Sequence, residues 1–385
     1  MAEERLRHII KLSDNIISPL GDSSEANLRA LLAGESKLQP YNQWGLPDTF
    51  VASFLDREHI DELTRSELRA DVCTTLTFFE KLCILSAQQA INDAGIDASD
   101  KGVVFVLSTT KGNVELIRDD RTDSRAYLSR SADVIARYFG NPNTPIVISN
   151  ACISGVCAQI TATRMLKYGD YTTAVVIGCD VLSKFIVSGF MSFKALSPEV
   201  CRPYDKDRVG LNLGEAAATM VLSVTDNVGD NWCYRASAIR NDANHISGPS
   251  RTGEGSYRVL KTILNCVSSE ELAVVNTHGT ATAYNDEMES IALHRAGLDG
   301  TPVNALKGFY GHTLGAAGVL ETILSMRAIE GGIILPTRGY DESGVTYTQN
   351  ISHELRHTDK RSFIKLLSGF GGCNAGIAYT KGGAQ

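Results

Sequence analysis

The residue best placed for nucleophilic chemistry is Cys152, which stands between a strand-like run and a helix-like run. Apolar residues fill 146–148, three small or polar residues follow, and the helix-like run begins just after the cysteine. Unpaired backbone N–H groups and the positive dipole end of a helix favour a thiolate and lower the pKa of a thiol there. The same N–H groups can stabilise the oxyanion of an attacked thioester. We therefore predict that Cys152 is a nucleophile with a lowered pKa.

Two histidines stand in glycine-rich settings at the ends of predicted elements. His278 directly follows a strand-like run, and His312 directly precedes a helix-like run. Strand ends and helix starts are where α/β proteins assemble reactive groups. Neutral imidazole N–H groups can donate hydrogen bonds to a developing enolate oxygen, which a decarboxylating step requires. We predict that both histidines are catalytic, whereas the other six, including His245 and His294, are interpreted as structural.

The remaining cysteines lack the turn setting of Cys152 and are interpreted differently. The chain has nine cysteines but no CxxC pair and no small secreted framework, so reduced thiols and a cytoplasmic location are expected. No metal site is predicted. Structural roles are assigned to Cys157, Cys179, Cys201 and Cys266.

Composition and charge exclude several broad classes of function. The formal net charge is −7, and Lys and Arg are scattered singly, so nucleic-acid binding is not predicted. No apolar run reaches the roughly 18 residues that a membrane-spanning helix needs. The N-terminus lacks the apolar core of a signal peptide. With 385 residues, the chain can form two domains or one body built from two halves.

Short apolar runs alternate with amphipathic runs along most of the chain. Strands are predicted at residues 103–107, 146–149, 174–177, 218–222, 273–276, 303–306, 363–367 and 375–379. Helices are predicted at residues 78–94, 155–167, 284–295 and 314–329. This alternation predicts an α/β protein. The least patterned stretch, 225–231, divides it into halves 1–225 and 226–385, and the similar settings of Cys152 and His312 suggest that these halves are related.

Five segments in one order resemble the signatures of β-ketoacyl-acyl carrier protein synthases. They are the Cys152 turn, Arg-Pro-Tyr-Asp-Lys-Asp-Arg at 202–208, His-Gly-Thr-Ala-Thr at 278–282, Lys-Gly-Phe-Tyr-Gly-His at 307–312 and Gly-Phe-Gly-Gly-Cys-Asn-Ala at 369–375. Each segment is a weak signal alone, but five in family order are very specific. The resemblance implies a thiolase-type α/β fold, with two similar halves forming five layers α/β/α/β/α.

The resemblance also implies an activity and its partners. The activity is decarboxylative condensation of an enzyme-bound acyl group with a malonyl thioester, in fatty acid or related polyketide or polyene synthesis. Acyl groups would arrive on the phosphopantetheine arm of an acyl carrier protein, and no bound cofactor is implied. Because that carrier is expected to be acidic like this chain, a local cluster of positive side chains should recognise it. The candidates are Arg65, Arg69 and Arg202.

The same resemblance assigns roles to individual side chains. Cys152 matches the nucleophile, and His278 and His312 match the pair that drives malonyl decarboxylation. Lys307 and Glu321 match charges that orient this pair, Thr280 and Thr282 match hydroxyls that hold the pantetheine arm, and Phe370 matches a gating aromatic whose N–H joins that of Cys152 in an oxyanion hole. Considered without the family, the same residues could form an ordinary ion pair, a helix cap and a hairpin turn.

Three functions compete on this sequence. The first is an active elongating ketosynthase. The second is a thiolase-like acyltransferase that uses CoA, for which Cys373 would be the second catalytic cysteine; the paired histidine segments argue against it and favour a structural Cys373. The third is a non-catalytic chain-length-factor subunit, which the presence of Cys152, His278 and His312 opposes. The resemblance implies a dimer, either a homodimer or a pair with such a related subunit.

Overall fold

The computed structural model describes residues 7–117 and 123–382. Its strands are β1 (His8–Ile17), β2 (Gln39–Tyr41), β3 (Phe50–Ser53), β4 (Val103–Ser108), β5 (Ile146–Ile148), β6 (Thr173–Asp180), β7 (Leu213–Gly214), β8 (Ala216–Thr225), β9 (Trp232–Asn241), β10 (Leu272–Asn276), β11 (Pro302–Asn304), β12 (Ile333–Ile334), β13 (Asn350–Ile351), β14 (Arg356–His357), β15 (Ser362–Gly369) and β16 (Cys373–Lys381). Its α-helices are α1 (Ser24–Leu32), α2 (Arg57–Glu67), α3 (Ala70–Cys73), α4 (Phe78–Ala94), α5 (Leu128–Tyr138), α6 (Ser154–Tyr168), α7 (Lys184–Ser192), α8 (Glu254–Leu264), α9 (Ala283–Arg295), α10 (Lys307–Tyr310) and α11 (Ala317–Glu330). Short 3₁₀ turns cover Val114–Leu116, Ser124–Ala126, Ser269–Glu271 and Leu314–Ala316.

The main sheet repeats one strand arrangement twice. Its 11 strands lie in the order β13-β11-β10-β15-β16-β9-β1-β8-β6-β4-β5. The five strands nearest the β9–β1 junction on each side form a group: β1, β4, β5, β6 and β8 on one side, and β9, β10, β11, β15 and β16 on the other. If each group is numbered along the chain, both lie in the order third, second, fourth, fifth, first from the outside towards the junction. In both groups the fifth strand, β8 or β16, is antiparallel to its neighbours, whereas the second strand, β4 or β10, is parallel to both of its neighbours. The two groups are therefore topological copies, joined where Ile10 of β1 pairs with Cys233 of β9.

Helices complete five layers around the two groups of strands. Helices α6 and α11 contact each other and strands of both groups, which makes them the central layer. Helices α4 and α5 pack on the first group, whereas α8 packs on the second and carries α9 beside it. The predicted α/β fold with two similar halves is confirmed. Within the described residues, no helix combines the length and the apolar character needed to cross a membrane.

Two glycines set the spacing of the central helices. A Cβ atom on Gly155 of α6 would lie 2.8 Å from the Cα of Gly318 of α11, and a Cβ on Gly318 would lie 2.4 Å from the backbone N of Val156. Both distances are too short for a real side chain. The close approach matters because α6 begins two residues after Cys152 and α11 begins five residues after His312.

Local sequence explains the predicted elements that the structure reproduces. Helix α4 has the predicted bounds because Thr77 and Glu80 form a capping box at its start and Gly95 adopts the left-handed conformation at its end. Every residue of β4 and of β6 is buried. Continuous burial of this kind explains why these strands do not alternate between apolar and polar residues.

The prediction missed two central strands, β1 and β9. Strand β1 carries Lys11 and Asp14, and charged residues conceal the apolar pattern of a buried strand. In the fold these charges compensate one another, because Asp14 pairs with Lys11 and with Arg327 of α11. The loop between β8 and β9 covers the stretch chosen to divide the chain, and the division into 1–225 and 226–385 stays a prediction.

Candidate active site

A strained turn presents Cys152 at the start of the central layer. Ala151 has a φ of +46°, which is uncommon for a residue with a side chain. The hydroxyl of Ser154 stabilises this turn by accepting a hydrogen bond from the Asn150 N–H (2.7 Å) and donating one to the Ala151 carbonyl (2.6 Å). Helix α6 begins at Ser154. The sulfur therefore lies just ahead of the helix, as the sequence predicts.

The backbone on both sides of His312 is fixed by residues that precede β8. The His312 N–H donates to the Asn212 carbonyl (2.7 Å), and its own carbonyl accepts from the Gly214 N–H (3.0 Å). The Leu314 N–H donates to His312 Nδ1 at 3.2 Å. An Nδ1 that accepts a hydrogen bond carries no proton, so the neutral ring carries its proton on Nε2. That Nε2 is buried and has no partner within the described residues, so it is free to donate to a substrate.

Two acidic residues of α9 fix the turn that carries His278. The Glu289 carboxylate accepts hydrogen bonds from the N–H groups of His278 (2.7 Å) and Gly279 (2.8 Å). Asp286 accepts one from the Thr280 N–H (3.0 Å). Neither acid was predicted from the sequence. Their signal is a spacing of three residues, which places Asp286 and Glu289 on one helix face directly after the histidine segment.

The three predicted reactive side chains meet in one place. The sulfur of Cys152 and one ring nitrogen each of His278 and His312 all lie within 4.8 Å of one another. The imidazole centroids are 5.0 Å apart, with their planes at 81°. All three residues line a cavity of about 410 Å³. The cavity also contains Thr280, Thr282 and Phe370, so it gathers six of the eight predicted site residues.

The thiol of Cys152 is not acidified in this resting structure. Burial raises its pKa to about 12, and the nearby Cys373 adds to the rise. Lys307, Lys111 and the Phe370 N–H, which donates to the sulfur, oppose it but do not outweigh burial. The predicted lowered pKa is therefore wrong, because the desolvation of the thiolate exceeds the stabilisation that the turn provides. The thiol of Cys152 is therefore neutral in this structure.

Both imidazoles are neutral at ordinary pH. Burial is the main reason that the pKa of His278 lies well below its usual value, and Lys307, His312 and Lys365 lower it further. The pKa of His312 is lowered in the same way by burial and by the same two lysines. A neutral histidine keeps one N–H donor without a full charge, which is the form that the predicted enolate stabilisation needs.

Lys307 and Glu321 lie behind the histidines rather than in the cavity. The Lys307 ammonium donates to the His278 carbonyl (2.6 Å) and to Glu321 (2.8 Å). Glu321 also accepts from Lys365, a residue that sequence analysis did not identify. Burial alone would raise the pKa of Glu321, but the two ammonium groups hold it below the usual value. The predicted orienting pair is thus part of a buried triad of two lysines and one glutamate.

The remaining predicted residues line the cavity. The hydroxyls of Thr280 and Thr282 are hydrogen-bonded to each other (2.9 Å), and Thr282 also caps α9. The ring of Phe370 packs against Phe190 and Phe193, with centroids 5.9 and 5.2 Å away. Cys373 is buried nearby and donates to the Phe370 carbonyl, but it does not line the cavity.

The same cluster also has the spacing of a cation site. Among the described residues, Cys152, His278 and His312 are close enough together to ligate one metal ion. However, Lys307 and Lys365 lie directly behind the imidazoles, and their positive charge opposes a dication there. The arrangement suits a negative charge developing in the cavity better than a bound metal.

Comparison with known proteins places this geometry in a family. The profile described as "Beta-ketoacyl synthase, N-terminal domain" matches residues 15–227, and "Beta-ketoacyl synthase, C-terminal domain" matches residues 233–341. A "3-oxoacyl-[acyl-carrier-protein] synthase 2" of Vibrio cholerae is 26% identical, covering 97% of this chain and 99% of that protein.

Solved structures agree with the fold. A beta-ketoacyl synthase from Burkholderia phymatum superposes with a TM-score of 0.88 at 22% identity, covering 98% of this chain and 100% of that one. The ishigamide ketosynthase/chain length factor superposes with a TM-score of 0.84 at 24% identity, covering 98% and 100%. The fold is the thiolase-type fold of the ketosynthases. The chain belongs to the beta-ketoacyl synthase family, and the predicted class of enzyme, an acyltransferase, is confirmed.

Proposed function

We propose that the protein joins an acyl group held on Cys152 to the two-carbon unit released from a malonyl group on an acyl carrier protein. The observation that carries the proposal is the meeting of one thiol and two neutral imidazoles within 4.8 Å in a single cavity. A thiol can hold the acyl group as a thioester, and two N–H donors can stabilise an enolate. The product is a β-ketoacyl thioester on the carrier.

The first half-reaction is acyl transfer. The Cys152 sulfur attacks the carbonyl carbon of the incoming thioester, and the N–H groups of Cys152 and Phe370 stabilise the resulting oxyanion. The bond to the pantetheine sulfur then breaks, and the thiol proton of Cys152 ends on that departing sulfur. The Phe370 N–H already donates to the Cys152 sulfur, so it is near the position that this role requires. Thr280 and Thr282 would hold the pantetheine arm.

The second half-reaction is decarboxylation and condensation. The bond between the malonyl α-carbon and its carboxylate breaks, CO₂ leaves, and the electron pair forms an enolate. N–H groups of His278 and His312 donate to the enolate oxygen. The enolate carbon then attacks the acyl carbonyl on Cys152. The carbon–sulfur bond to the enzyme breaks, its electron pair stays on the sulfur, and this thiolate takes a proton from water to restore the Cys152 thiol. Lys307 and Glu321 keep the His278 turn in place during these steps.

Dependence on a malonyl extender tests this function against the thiolase-like alternative. With an acyl-loaded enzyme, malonyl-carrier thioester should give the β-ketoacyl product with one CO₂ per product, because decarboxylation generates the enolate. Acetyl-CoA should give no product, since it has no carboxylate whose loss could generate the enolate. Product formation from acetyl-CoA, with loss of activity in Cys373→Ala, would favour the thiolase-like reaction instead. The measurement is mass spectrometry of the product together with CO₂ release.

A carrier protein partner should show itself through salt dependence. The candidate arginines Arg65, Arg69 and Arg202 do not line the cavity, whereas the exposed Lys194 does. Raising the salt to about 0.5 M, where screening is strong, should lower kcat/KM for the carrier-bound substrate several-fold. A short pantetheine thioester should be little affected. Lys194→Glu should reproduce the loss at low salt, whereas Lys360→Glu, an exposed lysine outside the cavity, should not. Equal salt curves for the two substrates would argue against electrostatic recognition.

We also propose that the chain forms a dimer, either with a second copy of itself or with a related subunit. Strand β5 lies at one edge of the main sheet, and its three residues, Ile146–Ile148, are only half-buried in the single chain. An apolar edge strand is a natural pairing surface. Because β5 leads into the Cys152 turn, pairing there would also support the nucleophile. Light scattering of the purified chain would show whether it pairs with itself.

A further inference from the structure

Lys365 is a buried cation placed directly behind the reactive histidines. It lies on β15, and its side chain is fully buried. Its ammonium group donates to Asn276 Oδ1 (2.6 Å), to the Thr277 carbonyl (2.9 Å) and to the carboxylate of Glu321. Asn276 and Thr277 immediately precede His278. A surface role for this lysine is therefore excluded, and every one of its partners belongs to the support of the site.

We propose that Lys365 is a positioning residue of the condensing reaction, which together with Lys307 encloses Glu321, holds the backbone before His278, and leaves one uncompensated positive charge behind the two imidazoles. The inference rests on the proposed function, because the charge matters only if an enolate forms in the cavity. Two ammonium groups share one carboxylate. A simple ion pair of Lys307 and Glu321 would have left the site neutral.

The charged groups around Lys365 come from several elements. Glu321 faces it from α11, Lys307 from α10 and Glu289 from α9, with the imidazoles of His278 and His312 beyond. Glu289 is only partly ionised at neutral pH, since burial and the neighbouring Asp286 raise its pKa to about 7. The net field at the imidazoles is therefore positive. A positive field disfavours imidazolium and favours a negative charge on the substrate.

The field acts in two ways on the reaction. It keeps His278 and His312 neutral to lower pH, so both retain the N–H donors that an enolate oxygen needs. It also stabilises the enolate electrostatically through the buried interior, where charges interact more strongly than in water. Burial lowers the pKa of Lys365 itself to about 8, so the field should weaken as the pH rises through that value.

The experiment compares the pH profile of malonyl-carrier decarboxylation in the wild type, in Lys365→Met, and in Lys365→Met combined with Glu321→Gln. Lys365→Met removes the uncompensated positive charge. Adding Glu321→Gln removes the negative charge as well, so Lys307 alone again leaves one positive charge behind the imidazoles. In Lys365→Met the acid limb should move up by about one pH unit or more, and the rate at pH 7 should fall about tenfold. The double variant should return the acid limb towards its wild-type position.

The outcomes separate the proposal from its alternatives. If Lys365 has only a structural role, the acid limb should not move, and the double variant should decarboxylate more slowly than the single one. That result would overturn the inference. A wild type that does not decarboxylate the malonyl group would overturn the proposed function instead. Circular dichroism and the Tm establish that each variant is folded. If Lys365→Met does not fold, Lys365→Gln, which keeps N–H donors without the charge, should show the same shifted limb.

Discussion

Replacing Cys152 with Ala should abolish acyl transfer completely, because no other thiol among the described residues lines the cavity. The measurement is intact-protein mass spectrometry after incubation with an acyl-carrier thioester, with the wild type gaining the mass of one acyl group. In Cys152→Gln, condensation should also be lost, but decarboxylation of the malonyl thioester should continue, because both imidazoles remain. Acylation and decarboxylation would thereby be assigned to different side chains.

Matched controls come from the other cysteines. Cys157→Ala, in the first turns of α6, and Cys373→Ala, beside Phe370, should both remain acylated on Cys152. The first tests whether any cysteine near the turn suffices, and the second tests the thiolase-like alternative. An acyl group found on Cys157 or Cys373, with Cys152 unmodified, would contradict the assignment.

Replacing either His278 or His312 with Ala should reduce malonyl decarboxylation by about 10²–10³-fold, since that is the usual loss when one oxyanion donor is removed. Acylation of Cys152 should fall much less, because the oxyanion of that step is held by backbone N–H groups. Rates of CO₂ release and of enzyme acylation, measured on the same preparations, test this separation. A complete loss of acylation in both variants would assign the histidines to activation of the thiol instead.

His294→Ala is the matched control for the histidine variants. This side chain is exposed, stacks on Tyr347 with a centroid distance of 3.8 Å, and interacts with Asp299 at 3.0 Å. It does not line the cavity. Its replacement should leave both half-reactions unchanged, and circular dichroism should show the same fold for all three histidine variants.

The sequence was sufficient to predict that Cys152, His278 and His312 lie at element boundaries, because reactive side chains in α/β proteins occupy strand ends and helix starts. Cys152 and His312 precede α6 and α11, and His278 follows β10, so local pattern alone placed each at an element boundary. What local pattern could not predict was their separation. That depends on α6 and α11 meeting at Gly155 and Gly318, a long-range contact without a signature in either segment.

Local sequence pattern could not predict the charges behind the site or the pKa of the Cys152 thiol. Lys365 lies between apolar pairs of residues in β15, and its partners Glu321 and Asn276 are 44 and 89 residues away along the chain. The pKa of Cys152 depends on how deeply the turn is buried, and the helix-start argument omitted that desolvation.

The most direct test of the central claim follows one acyl group through both half-reactions on a single preparation. The enzyme is loaded from an acyl-carrier thioester and freed of excess donor. One portion is digested and examined by mass spectrometry, and the acyl group should lie on the peptide that contains Cys152. Malonyl-carrier thioester is then added to the remainder. The account predicts that the acyl mass leaves the enzyme as a β-ketoacyl carrier two carbons longer, with one CO₂ released for each acyl group lost. An acyl group that stays on Cys152, or leaves it without CO₂ release, would contradict the account.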